Sequence, residues 1–205
     1  MSPLVAVRSV NLAAFGGSGS SHTGFAGSTT YGGVSMTELW DQVNSNDAAY
    51  FHAGYALAGI SSGASTVTNT ISSTPGRQAF GVITMTGVDQ TTPAGTAVVT
   101  DVAINDISVT VASVGADDLV CDNLWSRGGV TIGADQTLRN TDEPLVGILR
   151  FRQSTQPGTA GGVMSWSSGS GETSALGAVA FKPAAAADGW GPLIGLRNNR
   201  LVGAP

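Results

Sequence analysis

The sequence predicts an all-β protein, and three observations predict it. Only 11% of the 205 residues are charged, whereas helix surfaces are normally filled with Glu, Lys and Arg. The chain has three Glu and a single Lys, Lys182. Its 29 Gly suit a chain with many turns. Hydrophobic residues still reach 41%, so the chain can bury a core and lacks the composition of a disordered one. The length suits one large domain. A net charge of −5 with eight scattered Arg provides no basic stripe for phosphates, so nucleic acid is not an expected partner. Arg in excess of Lys fits a chain that forms protein interfaces.

Taken in order, the chain reads as short strands between turns. Leu4–Val10 is an extended run, and Ala13–Gly27 reads as a Gly- and Ser-rich loop. Tyr31-Gly32-Gly33-Val34 predicts a two-residue hairpin turn, because paired Gly supplies the positive φ angles such turns need. Ser35–Glu38 matches a helix capping box, with Met36, Leu39, Trp40 and Val43 at helical spacing. The turn before it asks for a second hairpin strand. The two signals combine into a strand through about Leu39, then one helical turn. Phe51, Ala53, Tyr55 and Leu57 alternate with Tyr50, His52 and Gly54, and Val67, Asn69 and Ile71 with Thr66, Thr68 and Thr70.

Gln78–Val88 is another extended run, and Ile107, Val109 and Val111 alternate with Ser108 and Thr110. Leu119–Trp125, Val163–Trp166 and Leu176–Lys182 complete the strands, with Leu149 and Phe151 set between Arg150 and Arg152. Arg127–Pro144 reads as a long polar loop. These runs amount to about ten strands, the pattern of an antiparallel β-sandwich with long loops. Residues 1–183 form the expected sandwich domain and 184–205 a C-terminal extension. That extension carries Trp190, Leu193, Ile194, Leu196, Leu201 and Val202. An apolar tail of this kind is expected to dock on its own domain or on a neighbouring subunit.

Catalytic and metal chemistry find no support. Gly59-Ile60-Ser61-Ser62-Gly63 fits the nucleophile-elbow pattern, but the required downstream His is missing, since only His22 and His52 exist. Those two are too far apart in sequence for a local ligand pair, and no carboxylates have calcium-loop spacing. Asp117-Asp118 reads as turn polarity before a strand. Gly17–His22 lacks the glycines and lysine of a phosphate loop. No pair among the carboxylates stands out for glycoside hydrolysis, and the threonine row at 66–70 reads as the wet side of a sheet. Cys121 is the single cysteine, so no intrachain disulfide is expected. No glycosylation sequon occurs. The apolar run before Arg8 is too short for a secretion signal. No run of about 18 apolar residues suggests a membrane span. The expectation is a protein that is not an enzyme and needs no cofactor or metal.

Several stretches carry a resemblance. Thr30-Tyr31-Gly32-Gly33-Val34-Ser35-Met36-Thr37 resembles a hairpin of jelly-roll-like β-sandwich domains found in phage and prophage structural modules. Phe80–Pro93, ending Gly87-Val88-Asp89-Gln90-Thr91-Thr92-Pro93, resembles the most specific segment of that family. Ile107–Leu124, with Gly115–Asp122, resembles its strand–turn–strand, and Ala178–Pro183 its closing strand. The resemblance covers about residues 4–183 and implies a non-enzymatic virion part. It further implies a capsid decoration (cement) protein on the outside of the head. Its expected partner is the major capsid protein, with self-association as a homotrimer. A receptor- or glycan-binding appendage of a tail or head fibre is the alternative, with Trp125, Trp166 and Tyr50 at exposed tips. Family members carry a strand before the position of Leu4–Val10 and end near the closing strand. The sheet edge left open is therefore expected to be covered by the C-terminal segment or a neighbour. Expected contact residues are Leu4, Arg8, Phe25, Trp190, Leu193, Ile194, Arg197 and Arg200.

Overall fold

The computed structural model describes residues 9–18, 28–45, 50–60, 65–70, 77–102, 106–145, 149–168, 173–185 and 195–199. In chain order its strands begin with β1 (Ser9–Ser18), β2 (Ser28–Tyr31), β3 (Val34–Ser35), β4 (Thr37–Val43), β5 (Tyr50–Ile60) and β6 (Val67–Thr70). Next come β7 (Arg77–Thr86), β8 (Val98–Val102), β9 (Ile107–Thr110), β10 (Leu119–Ser126) and β11 (Val130–Ile132). The last are β12 (Thr137–Leu145), β13 (Leu149–Pro157), β14 (Val163–Ser168), β15 (Ser174–Phe181) and β16 (Gly195–Asn199). Among the described residues the helical content is a single 3-10 turn, Gly158–Ala160. The protein is an all-β antiparallel sandwich.

The described residues form four sheets. Sheet I has the order β16-β7-β1-β5-β4 and sheet II the order β12-β13-β10-β15-β8. Sheet III is β11-β14-β9 and sheet IV is β3-β2-β6. Side-chain packing stacks them in the order IV, I, II, III. Leu12, Trp40, Ile83 and Met85 of sheet I meet Cys121, Phe151, Val179 and Phe181 of sheet II. The other face of sheet II sends Val120, Leu124, Leu176 and Ala178 against Ile107, Val109, Met164 and Trp166 of sheet III. The other face of sheet I packs Phe51, Ala53, Tyr55 and Val82 under Tyr31 and Val67 of sheet IV.

This layering explains where simple alternation holds and where it fails. β9 belongs to an outer sheet and alternates cleanly, buried then exposed. β10 and β15 lie in a sheet covered on both faces, so almost every side chain is buried whatever its polarity. The same is true of Phe51–Ala56 in β5. His52, expected on the polar face, is fully buried. The Gly32–Gly33 hairpin forms as expected, with φ angles of 59° and 80°.

Three local expectations are corrected. No helical turn follows Leu39; Thr37–Val43 is a continuous strand along β5 with a register shift between Glu38 and Trp40. That irregularity lets both Leu39 and Trp40 pack into the sheet I–II core while Met36 packs on the sheet IV side, which imitates helical spacing. Ala13–Ser18 is not loop but the second half of β1, a strand flanked on both sides by β5 and β7. Gly16 lies opposite His52 and Ala79, and Gly17 opposite Phe51 and Gln78, so small residues sit beside larger ones in the sheet. Residues 19–27 lie outside the described residues, as does most of the Leu4–Val10 run. Finally, Arg127–Pro144 contains β11 and most of β12. β12 is an edge strand, where polar residues and Pro144 are tolerated because one backbone side needs no partner.

Candidate assembly surface

The segment Gly87–Pro93 builds a clamp at one end of sheet I. Gly87 has a φ of 74°, a left-handed turn that favours Gly, and ends β7. The chain then crosses toward sheet II beside the segment that returns from β15. Val88 bridges Pro183, and Ala94 bridges Phe181. The Asp89 N–H donates to the Lys182 carbonyl at 3.0 Å, and the Lys182 N–H to the Pro93 carbonyl at 2.9 Å. Within the turn, Asp89 Oδ1 accepts the backbone N–H groups of Thr91 (2.7 Å) and Thr92 (3.2 Å). These bonds hold the Asp89 carboxyl below its usual range, assisted by nearby Lys182. Gln90 closes the clamp from both ends of its amide. Its Oε1 accepts the Gly59 N–H at 2.7 Å, and its Nε2 donates to the Val88 carbonyl at 2.6 Å. Gly59 has a φ of 76°, so the end of β5 is bent to meet it.

The clamp fixes the roots of the segments on which most expected contact residues lie. The Ala184 N–H donates to the Gly87 carbonyl at 2.8 Å, and Gly195 stands opposite Thr86 in β16. Ala184 and Gly195 therefore stand at neighbouring positions, and Trp190, Leu193 and Ile194 fall between them in the sequence. Ser9, which comes after Leu4 and Arg8, lies opposite the same Thr86 and opposite Ile60. Leu4, Arg8, Trp190, Leu193 and Ile194 themselves lie outside the described residues. Phe25 does too, and the described residue before its segment, Ser18, is at the other end of sheet I, opposite Tyr50 and Arg77. Arg197 is on β16, opposite Thr84. Arg200 lies outside the described residues, just beyond that strand. β16 lies along the edge of β7.

The far end of the sandwich carries an aromatic and polar cluster. Tyr50, half-buried, contacts Trp125 with ring centroids 4.3 Å apart, and the Arg127 guanidinium sits 5.6 Å from the Tyr50 ring centre. Asp101 accepts the Gln42 amide at 3.2 Å and the Ser45 N–H. Trp125 and Trp166 are each only 1% exposed. The expectation of tryptophans displayed at exposed tips is therefore corrected: both are core residues, in strands whose two faces or whose inner face is covered.

One further polar hub was not singled out by its sequence. Asp122 on β10 is buried and its Oδ1 accepts the Ser154 N–H and hydroxyl, both at 2.7 Å. Its Oδ2 accepts the Trp166 indole N–H at 2.7 Å and the Gln136 amide at 3.2 Å. Gln136 in turn donates to the Ser154 hydroxyl and accepts the Ser165 N–H, each at 2.8 Å. Burial pushes the Asp122 carboxyl up to about 7, against the pull of these donors. The hub ties β10, β13 and β14 and the turn before β12 together. Its closed shell of protein partners marks it as structural. Burial likewise pushes the Cys121 thiol well up, away from reactivity. Among the described residues no group of three or more His, Cys, Asp or Glu could hold a metal ion. The Gly59–Gly63 pattern begins at the clamp, and its Ser61 lies outside the described residues, as does His22. No family model matches the chain, and no curated protein or solved structure matches it.

Proposed function

We propose that this chain is a non-enzymatic virion structural protein of the phage class it resembles. In this reading it is a jelly-roll-type module that decorates the capsid exterior and cements neighbouring major capsid protein subunits. It acts as a homotrimer, without cofactor or nucleic acid. The observation that carries the reading is the clamp at Val88–Pro93. It roots the segments bearing Leu4, Arg8, Trp190, Leu193 and Ile194 at one end of a rigid sheet. A cement protein works mechanically, so its contact segments must transmit load into a body that does not yield. A body with two double-covered sheets supplies that stiffness, and a charge-poor chain is weakly defended against association.

The test is sedimentation with shells of the major capsid protein. The wild-type chain should bind at a fixed, high copy number. The triple variant W190S/L193S/I194S, which keeps β16 and the clamp, should lose both shell binding and the trimer mass by light scattering. Unchanged occupancy and unchanged mass would overturn the assignment of these residues. A glycan-array signal abolished by Tyr50→Ala, without shell binding, would replace the reading by the receptor-binding one.

A further inference from the structure

The interface between sheets I and II, apolar at Leu12, Ile83, Met85, Phe151, Val179 and Phe181, is crossed by a polar band. Asn140 on β12, Gln153 on β13 and Asn123 on β10 are successive register neighbours. Gln153 and Asn123 are fully buried and Asn140 nearly so. All three face sheet I. Asn140 donates to the Val82 carbonyl of β7 at 3.4 Å and to Gln153 Oε1, and a Cβ at Gly81 would collide with Gln153 and press on Asn140. Asn123 shares its face with Cys121, whose Sγ lies 3.8 Å from Met85 Sδ on β7. The next register neighbour is Gly177 on β15. The Trp40 indole from sheet I lies against it, with Nε1 2.7 Å from the place a Cβ would occupy.

Along this band several polar atoms have no protein hydrogen-bond partner. Trp40 Nε1, both amide atoms of Asn123 and the Nε2 of Gln153 are buried without a hydrogen bond. One strand position farther along the same two faces, Trp125 Nε1 and both ring nitrogens of His52 share that condition. The opposing positions on sheet I are small: Gly54, Ala14 and Gly81 are register neighbours in that order. Polar atoms buried without partners are rare and destabilising, and the usual resolution is an ordered internal water.

The chemistry of the set selects the occupant. No carboxylate and no cationic side chain stands among Asn140, Gln153, Asn123 and Trp40, and Asp101, beside His52 at the far end, has its two oxygens bonded to the Gln42 amide and the Ser45 N–H. Indole and amide N–H donors predominate, with Asn123 Oδ1 and one His52 nitrogen as acceptors. Water both donates and accepts, so it alone serves every member. We propose that a short file of buried waters crosses the core, seated on Asn123 between Trp40 and Gln153 and continuing to His52 and Trp125.

Water–amide NOE and ROE spectroscopy on the isotope-labelled full chain tests this. The indole N–H signals of Trp40 and Trp125 and the Asn123 side-chain amide should show cross-peaks to long-lived water. Asn123→Leu supplies an independent readout. If the band is hydrated, Leu removes the seat, strands the neighbouring donors and lowers Tm by several degrees. If the band is dry, the same change removes an unsatisfied amide and raises Tm. Absence of the cross-peaks in the wild-type chain, or a raised Tm in the variant, overturns the proposal. The wild-type spectra decide it even if the variant fails to fold.

Discussion

Two buried titratable side chains, His52 and Asp122, set opposite pH dependences on one fold. His52 is fully buried beside Asp101, and desolvation lowers its pKa from 6.5 to about 4. The folded state then binds fewer protons than the unfolded chain between those values. Its contribution is present above pH 6.5 and lost as pH falls through 4. Asp122 has the reverse sign, because burial raises its carboxyl from 3.8 to about 7. Its contribution is full below pH 3.8 and lost as pH rises through 7. Each shift corresponds to roughly 3–4 kcal/mol, so over their shared window the two largely cancel. Urea unfolding of the wild type should therefore show a nearly flat profile between pH 4 and 6.5. Asp122→Asn should leave the His52 slope, with stability falling as pH drops. His52→Phe should leave the Asp122 slope, with stability falling as pH rises. Parallel profiles for the two variants would show that neither group carries its assigned shift.

At the scale of elements, the clamp shows how a short turn can decide which strands meet. Gln90 bonds backbone groups on both β5 and its own turn, so Gln90→Ala leaves the Gly59 N–H and the Val88 carbonyl without that partner. Such a loss destabilises by about 1–2 kcal/mol. Amide exchange should accelerate at Gly59 and Ile60 well before it does in β10; a uniform acceleration would mean that the turn does not act locally. The clamp residues stood out in the sequence as a motif, but their long-range bonding did not, because Gln90 reaches Gly59, 31 residues away, and Asp89 and Pro93 pair with Lys182. Strands of the outer sheets were legible for a simple reason. Ile107–Thr110 has one wet face and one dry face, and alternation records the difference. Strands of the inner sheets keep no such record, so His52 on β5 reads as the polar face although it is buried, and Asn123 on β10 is buried as well. The irregularity at Leu39 hid the second half of a strand behind helical spacing. Pro144 and its polar neighbours hid another, since an edge strand obeys weaker rules.

At the scale of the whole molecule, the charge deficit has a location. The six strands of sheets III and IV contain no Asp, Glu, Lys or Arg. Their exposed positions include hydroxyl residues, Ser28, Thr68 and Thr70 on sheet IV and Ser108, Thr110, Thr131 and Ser167 on sheet III. Exposed charges among the described residues sit instead on turns and loops, as at Asp106, Asp117, Asp135 and Lys182, and on β4 at Glu38. The outer sheets therefore present neutral surfaces, and the segments proposed for assembly add mainly apolar residues. Self-association through such surfaces depends on apolar burial and packing, with Arg8, Arg197 and Arg200 as the expected cationic contributors. Raising NaCl from 0.1 to 1 M shortens the Debye length from about 10 to 3 Å and weakens exposed ion pairs. It leaves apolar burial intact, and sulfate strengthens that burial by exclusion from the surface. Sedimentation velocity across this salt range should show the oligomer weakened by less than about tenfold, and strengthened when sulfate replaces chloride. A weakening of a hundredfold or more would place ion pairs, not neutral faces and apolar segments, at the centre of assembly.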